Sequence, residues 1–370
     1  MQRKYQKFSL ILIIASLIPL LSTAIINLII DPYGVFAFPI INNINNLKPK
    51  QENAGRIYKA FDIRRIKPKI IILGSSRVET GLNHQHPAFK LQHKSNAYNA
   101  GFQAGNTYEI FRYLEYAINQ QPDLEQVVLG LDFFMFNETL RNQDNFSEAR
   151  LTKAYPIEDA TTFLLSIDAL NSSKETLIAN LHNQDKKDSN RRINKFKFWI
   201  RGFLTNPQLY GQYKLSQDRL KYLQSIVQLC KKNNIDLKIF ISPIHATQQE
   251  AIEVAGLWST FEQWKKEVVK IAPVWDFAYH NSISTEKISD GMTYYIDSSH
   301  YSQKTGNLVL NRILNYDVNT VPSDFGVLLT NENIESHLIK NRFSKKQWQS
   351  NNLIEVQLVR EIAQSVKQGK

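Results

Sequence analysis

Cysteine and methionine are scarce in this chain, at one and three of 370 residues. A lone Cys230 excludes an intramolecular disulfide and any cysteine-based zinc site. The missing disulfides do not argue against export, because a chain this long can build a core without them. Neither an internal repeat nor a low-complexity tract is visible. Charged residues make up only 21%, against 43% hydrophobic, which suits a globular fold rather than a disordered one.

Acid is short relative to base, and the formal net charge is +11. The excess is uneven. Lys186 to Arg201 holds seven basic residues against Asp188 alone. The tail after Ile339 adds Lys340, Arg342, Lys345, Lys346, Arg360, Lys367 and Lys370 against Glu355 and Glu361. Such a balance suits nucleic acid, anionic lipid or an acidic polymer. The N-terminus argues against nucleic acid.

Phe8 to Ile30 is an uncharged, mostly apolar run of 23 residues. At about 1.5 Å per residue, a helix that long crosses the roughly 30 Å hydrocarbon layer. Arg3, Lys4 and Lys7 precede it, so residues 1–7 are expected in the cytoplasm and the bulk of the chain outside. A cleaved signal peptide, with an apolar core of about 7–15 residues, is the competing reading, and a buried core helix is another. The length of the run, the apolar sequence continuing past Ser22-Thr23-Ala24 and the lack of a polar stripe favour a single-pass anchor at 8–30 in the cytoplasmic membrane.

Beyond Asp31-Pro32-Tyr33-Gly34, a turn, residues 31–66 read as a linker and a first helix. Lys69-Ile70-Ile71-Ile72-Leu73 then predicts a buried parallel strand running into the small-residue turn Gly74-Ser75-Ser76. Further strands are expected at Ala97–Gly101, Val127–Leu131, Leu237–Ile241 and Val274–Phe277. Helices are expected over 108–119, 217–233, 257–271 and 302–314. This alternation predicts an α/β domain over 67–320, with a parallel sheet covered by helices on both faces. Residues 140–215 interrupt it as a polar, basic, helical insertion, and 321–370 read as a helical extension.

Sites in such sheets gather at the carboxyl ends of strands. Ser76 stands there, where strand passes to helix, and reads either as a helix cap or as a nucleophile beside helix N–H groups. Asp297-Ser298-Ser299-His300 precedes the last helix of the domain. An aspartate three residues before a histidine can fix the imidazole that takes a serine proton, although a solvated loop pair has the same spacing.

Taken together, these residues resemble the SGNH (GDSL-like) hydrolase superfamily over roughly residues 68–137 and 235–314. Gly74-Ser75-Ser76 is similar to its first block, Gly105 in Ala104-Gly105-Asn106-Thr107 to its second, and Asp297 with His300 to its last. The resemblance implies a flavodoxin-like three-layer sandwich, with Ser76 as nucleophile, His300 as base and Asp297 as orienter. It further implies that the Ser76 and Gly105 N–H groups hold the oxyanion. One departure stands out. Gly130-Leu131-Asp132 puts an aspartate where the family has an oxyanion-hole asparagine. Either Asn106 or Asn137 supplies the donor, or the hole is incomplete at a cost on the order of 100-fold or more. On this alignment Asp132→Asn is expected to raise the rate. The layout looks like the membrane-anchored branch that includes proteins of teichoic-acid D-alanylation and, more distantly, of alginate O-acetylation. That likeness implies acyl transfer or ester hydrolysis on an envelope polysaccharide or other acyl-bearing polymer, beside a multi-spanning membrane O-acyltransferase. Such chemistry needs no cofactor. An inactive accessory protein is the rival reading.

Among the other polar residues, His245 follows a strand end and is a candidate to line the cleft, as is Asp276. His84 and His86 lack the partners of a metal site and read as loop surface. Arg191–Phe203 interleaves cations with Phe196, Phe198, Trp199 and Phe203. It suits contact with membrane lipid or an acidic glycan, or packing on the domain with snorkelling charges.

Overall fold

The computed structural model describes residues 2–93, 96–152, 157–182 and 191–369. The chain divides into two compact units. One comprises Met1–Ile66 and Asn145–Asp188, the other Lys67–Asp144 and Ser189–Lys370.

In the first unit, Gln2–Ile30 forms one continuous helix. Tyr5–Ile30 is long and apolar enough to cross a membrane. Residues 5–22 are exposed all round, whereas Thr23, Ala24, Asn27, Ile30 and Asp31 are covered. Their spacing of three and four residues marks one helix face. Helices Ile157–Leu165 and Ile167–Leu181 pack against the apolar helix. Asn27 donates to the Leu164 carbonyl at 2.9 Å and accepts from Ser173 Oγ at 2.8 Å. The chain then turns at Asp31, whose backbone is left-handed with φ 46°. Its buried carboxylate accepts the Phe36 and Phe38 N–H groups and the Lys48 ammonium. Residues 31–66 are therefore built into this unit rather than serving as a free linker. Tyr33 packs on Phe163 at 5.3 Å between ring centroids, and Val35, Ala54 and Ile57 form a small core.

The second unit is α/β. Its six-stranded sheet has the order β2-β1-β3-β4-β5-β6. The strands are β1 (Ile70–Leu73), β2 (Ala97–Asn99), β3 (Gln126–Leu131), β4 (Asp236–Ile241), β5 (Val274–Asp276) and β6 (Val327–Leu329). β1 to β5 are parallel, and β6 runs antiparallel along β5. Every residue of β1 and β3 is buried, as a strand covered on both faces must be. Ile70, Ile72, Val128 and Phe240 share one core with Val309, Leu310 and Ile313 of the helix Gln303–Ile313. Close approach is enforced at Gly306, where a Cβ would collide with the Gly81 carbonyl.

Two sequence-based boundaries fall differently. The insertion expected at 140–215 is divided: residues 145–188 belong to the first unit, and the helix Arg192–Thr205 to the second. Lys186 to Asn190, part of the basic stretch, lie outside the described residues. The expected extension at 321–370 supplies β6 as well as the helices Ile334–Asn351 and Leu353–Lys367, all in the second unit.

Candidate active site

At the carboxyl end of β1 the chain turns through Gly74-Ser75 into the short helix Ser76–Gly81. Glycine is needed at 74, because a Cβ there would collide with the Val78 side chain. Ser75 is the helix cap, and its Oγ accepts the Arg77 N–H at 3.1 Å. Capping thus falls to Ser75, which leaves the neighbouring Ser76 hydroxyl for other contacts. Ser76 is half-buried and reaches solvent.

Its partner is His300, with Ser76 Oγ 2.9 Å from His300 Nε2. On the opposite edge of the ring, His300 Nδ1 lies 2.9 Å from Asp297 Oδ2. Asp297 Oδ1 accepts the Ser299 and His300 backbone N–H groups at 2.8 Å each. The carboxylate therefore both folds the turn and faces the imidazole. With Nδ1–H given to the carboxylate, Nε2 carries the lone pair that meets the serine hydroxyl. The Trp199 ring lies edge-on to His300 at 4.6 Å between centroids. The structure thus brings Ser76, His300 and Asp297 into one hydrogen-bonded line.

The residues expected to complete an oxyanion hole are placed otherwise. Gly105 N–H donates to the Phe102 carbonyl at 3.3 Å, closing its own turn. Asn106 caps the helix Thr107–Gln120, accepts from Arg219 at 2.8 Å and donates to Asn142 at 2.9 Å. Asn137 donates to the Pro207 and Leu209 carbonyls at 3.2 and 3.0 Å. Both amides are committed to loop architecture. Asp132 accepts from Ser75 Oγ and from Arg77, whose NH1 lies 2.7 Å from Asp132 Oδ1. Burial disfavours the Arg77 cation, but Asp132 and Tyr210 outweigh this and hold its pKa above the ordinary value.

His245 is likewise a structural cap. It begins the helix Ala246–Val254, with Nδ1 accepting the Thr247 N–H at 3.1 Å and Nε2–H donating to the Glu286 carbonyl at 2.6 Å. Burial lowers its pKa to about 4. Its own N–H donates to the Ser298 carbonyl at 3.2 Å, so it braces the histidine loop from behind. Asp276 is locked in a buried pair with Lys265. Among the described residues, no group of three or more His, Cys, Asp and Glu side chains is poised to hold a metal. In the basic aromatic segment, Phe196 and Phe203 are buried while Phe198 is exposed. The helix packs on the unit, with its charges at the surface.

Sequence reasoning missed Arg77, Ser299 and Trp199. Arg77 stands directly after Ser76 in the sequence, and nothing local pairs it with residues 55 and 222 positions away. No protein-family model and no curated protein matches the chain. The chemistry assigned to the site rests on its geometry.

Proposed function

We propose that this chain is a membrane-anchored, extracytoplasmic SGNH-type acyl esterase or O-acyltransferase acting on a cell-envelope polymer. The observation that carries the reading is the line Ser76 Oγ, His300 Nε2, His300 Nδ1, Asp297 Oδ2, with 2.9 Å at each hydrogen bond. In the reaction, His300 Nε2 takes the Ser76 proton as Oγ attacks the ester carbonyl carbon. The tetrahedral adduct collapses, and the leaving alcohol takes the proton from His300. Water or a polymer hydroxyl then resolves the acyl-serine by the same route in reverse. Asp297 orients the ring through Nδ1 and faces the imidazolium that forms.

The anchored placement draws on the first unit. Residues 5–22, free of protein cover, rise about 27 Å at about 1.5 Å per residue, close to the thickness of a hydrocarbon layer. Cleavage after Ala24 would leave Asn27 on a frayed end, although its side chain is fully engaged. With Arg3, Lys4 and Lys7 in front, the bulk of the chain lies outside the cytoplasm.

One observation favours the rival reading of a weak or inactive accessory protein for a membrane O-acyltransferase. Gly105 N–H and Asp132, two of the three family oxyanion positions, are engaged elsewhere. A fluorophosphonate probe separates the two readings. Labelling of the full chain that is lost in Ser76→Ala and His300→Ala is expected for the enzyme. An unlabelled wild type with intact fold would hand the lead to the accessory protein.

A further inference from the structure

Arg77 follows the proposed nucleophile by one residue, yet it is only 2% exposed. Its NH1 donates to Asp132 Oδ1 at 2.7 Å, while Nε and NH2 donate to Ser299 Oγ at 3.1 and 3.0 Å. The Phe134 and Phe203 rings lie 5.3 and 5.7 Å from the guanidinium carbon. Ser75 Oγ holds the second Asp132 oxygen. One guanidinium therefore ties together three loops: the turn after β1 that carries Ser76, the end of β3, and the turn that carries Asp297 and His300.

We propose that Arg77 and Asp132 form a positioning pair that sets the Ser76–His300 separation, an inference that rests on the serine chemistry proposed above. The planar fork of an arginine can bond a carboxylate and a hydroxyl in fixed directions at once, which a lysine ammonium does poorly. Ser75 and Ser299 each adjoin a member of the triad, so a shift of the fork moves Oγ and Nε2 relative to one another. Asp132, where the SGNH pattern has asparagine, is then the counter-ion that holds the fork in place. The sequence alignment and the ion pair give opposite signs for one substitution. As an oxyanion-hole residue, Asp132→Asn raises the rate. As the partner of Arg77, it lowers it.

The full chain, purified in detergent, is compared with Asp132→Asn, Arg77→Met and Arg77→Lys. Turnover of p-nitrophenyl acetate, the melting midpoint and the proton resonance of His300 Nδ1–H are measured. Asp132→Asn is expected to lower kcat about 100-fold, the scale of a misplacement of about 1 Å. Its KM should stay within about threefold, because the lost interaction acts in the transition state. Arg77→Met should lose both stability and kcat. Arg77→Lys keeps the charge opposite Asp132 and should recover the melting midpoint without recovering kcat. A merely structural role would restore both together. A rise of kcat in Asp132→Asn, or wild-type kcat in Arg77→Lys, overturns the proposal. If the wild type shows no turnover, the serine chemistry fails, and the positioning is still read from the His300 Nδ1 proton. That resonance should shift in Arg77→Lys at unchanged pH, and an unshifted one overturns the pair.

Discussion

Asp297 binds His300 twice, taking its backbone N–H on Oδ1 at 2.8 Å and its ring Nδ1 on Oδ2 at 2.9 Å. Backbone and imidazole of His300 are thus oriented by a single carboxylate within one turn, while its distance from Ser76 is set by the loops packed around that turn. Shape and tautomer are separable here. Asparagine keeps an oxygen for the turn but offers an N–H where the imidazole needs an acceptor.

Asp297→Asn should accordingly leave the fold intact and cripple the chemistry. A donor facing Nδ1 forces the ring proton onto Nε2, which can then no longer accept from Ser76. The expected fall in kcat is about 10⁴-fold, with a near-native melting midpoint. Ester turnover and thermal melting of the same preparation check it. Wild-type kcat would mean that His300 is not the base.

His245 should make stability depend on pH. Burial holds its folded pKa at about 4, below the ordinary histidine value of 6.5. Its Nδ1 faces the Thr247 N–H, so a second ring proton would meet a donor. Between these two values the unfolded chain binds the proton and the folded chain does not. Stability is therefore full above about 6.5 and is lost as pH falls toward 4, by roughly 3 kcal/mol in all. Denaturant melts of wild type and His245→Asn across this window test it. Asparagine can keep the cap but does not titrate, so its curve should be flatter. Equal slopes would remove His245 as the source.

Lys265 and Asp276 pair at 2.6 Å with both side chains fully buried. Asp276 also accepts His337 Nε2 at 2.9 Å and the Ala278 N–H at 2.9 Å. Burial by itself disfavours the Asp276 carboxylate, yet Lys265 and His337 outweigh it and hold the group below the usual carboxylate range. Lys265→Met leaves a buried charge without its counter-ion and should cost about 3–5 kcal/mol in denaturant melts. The double variant Lys265→Met with Asp276→Leu should cost less than Lys265→Met alone. If it costs more, the pair contributes net stability beyond mutual neutralisation.

The central strands were legible because β1, β3 and β4 are short, continuous β-branched or leucine-rich runs beside turn residues. The placing of Ser76, His300 and Asp297 in one line was legible because they stand at fixed places in that alternation, one after a strand and two before a helix. β6 was not, since three residues at a sheet edge, with only Leu329 buried, carry no period. Nor was Arg77, because an arginine on a short helix reads as surface until its partners are known. His245 shows the limit of positional reasoning. A histidine at a strand end serves a cleft or a cap equally well in sequence, and only the Thr247 and Glu286 contacts decide between them. The fate of 145–188 was invisible for the same reason, being settled by contacts such as Ser173 with Asn27, far apart in the chain.

The grip on Asn27 means that the apolar helix is not an interchangeable tether. Its last two turns combine apolar residues on the exposed side with hydrogen bonding by Asn27 on the covered side. A foreign span of equal length and hydropathy, grafted in place of residues 5–30, would still enter a bilayer. It would strand the Leu164 carbonyl and the Ser173 hydroxyl without their partner, at about 1–3 kcal/mol for each polar group left buried and unpaired. Such a chimera should reach the membrane fraction in normal amount and yet be cut by protease within 31–66 and 145–188 sooner than the native chain. Equal resistance in both would reduce the apolar helix to a simple leash.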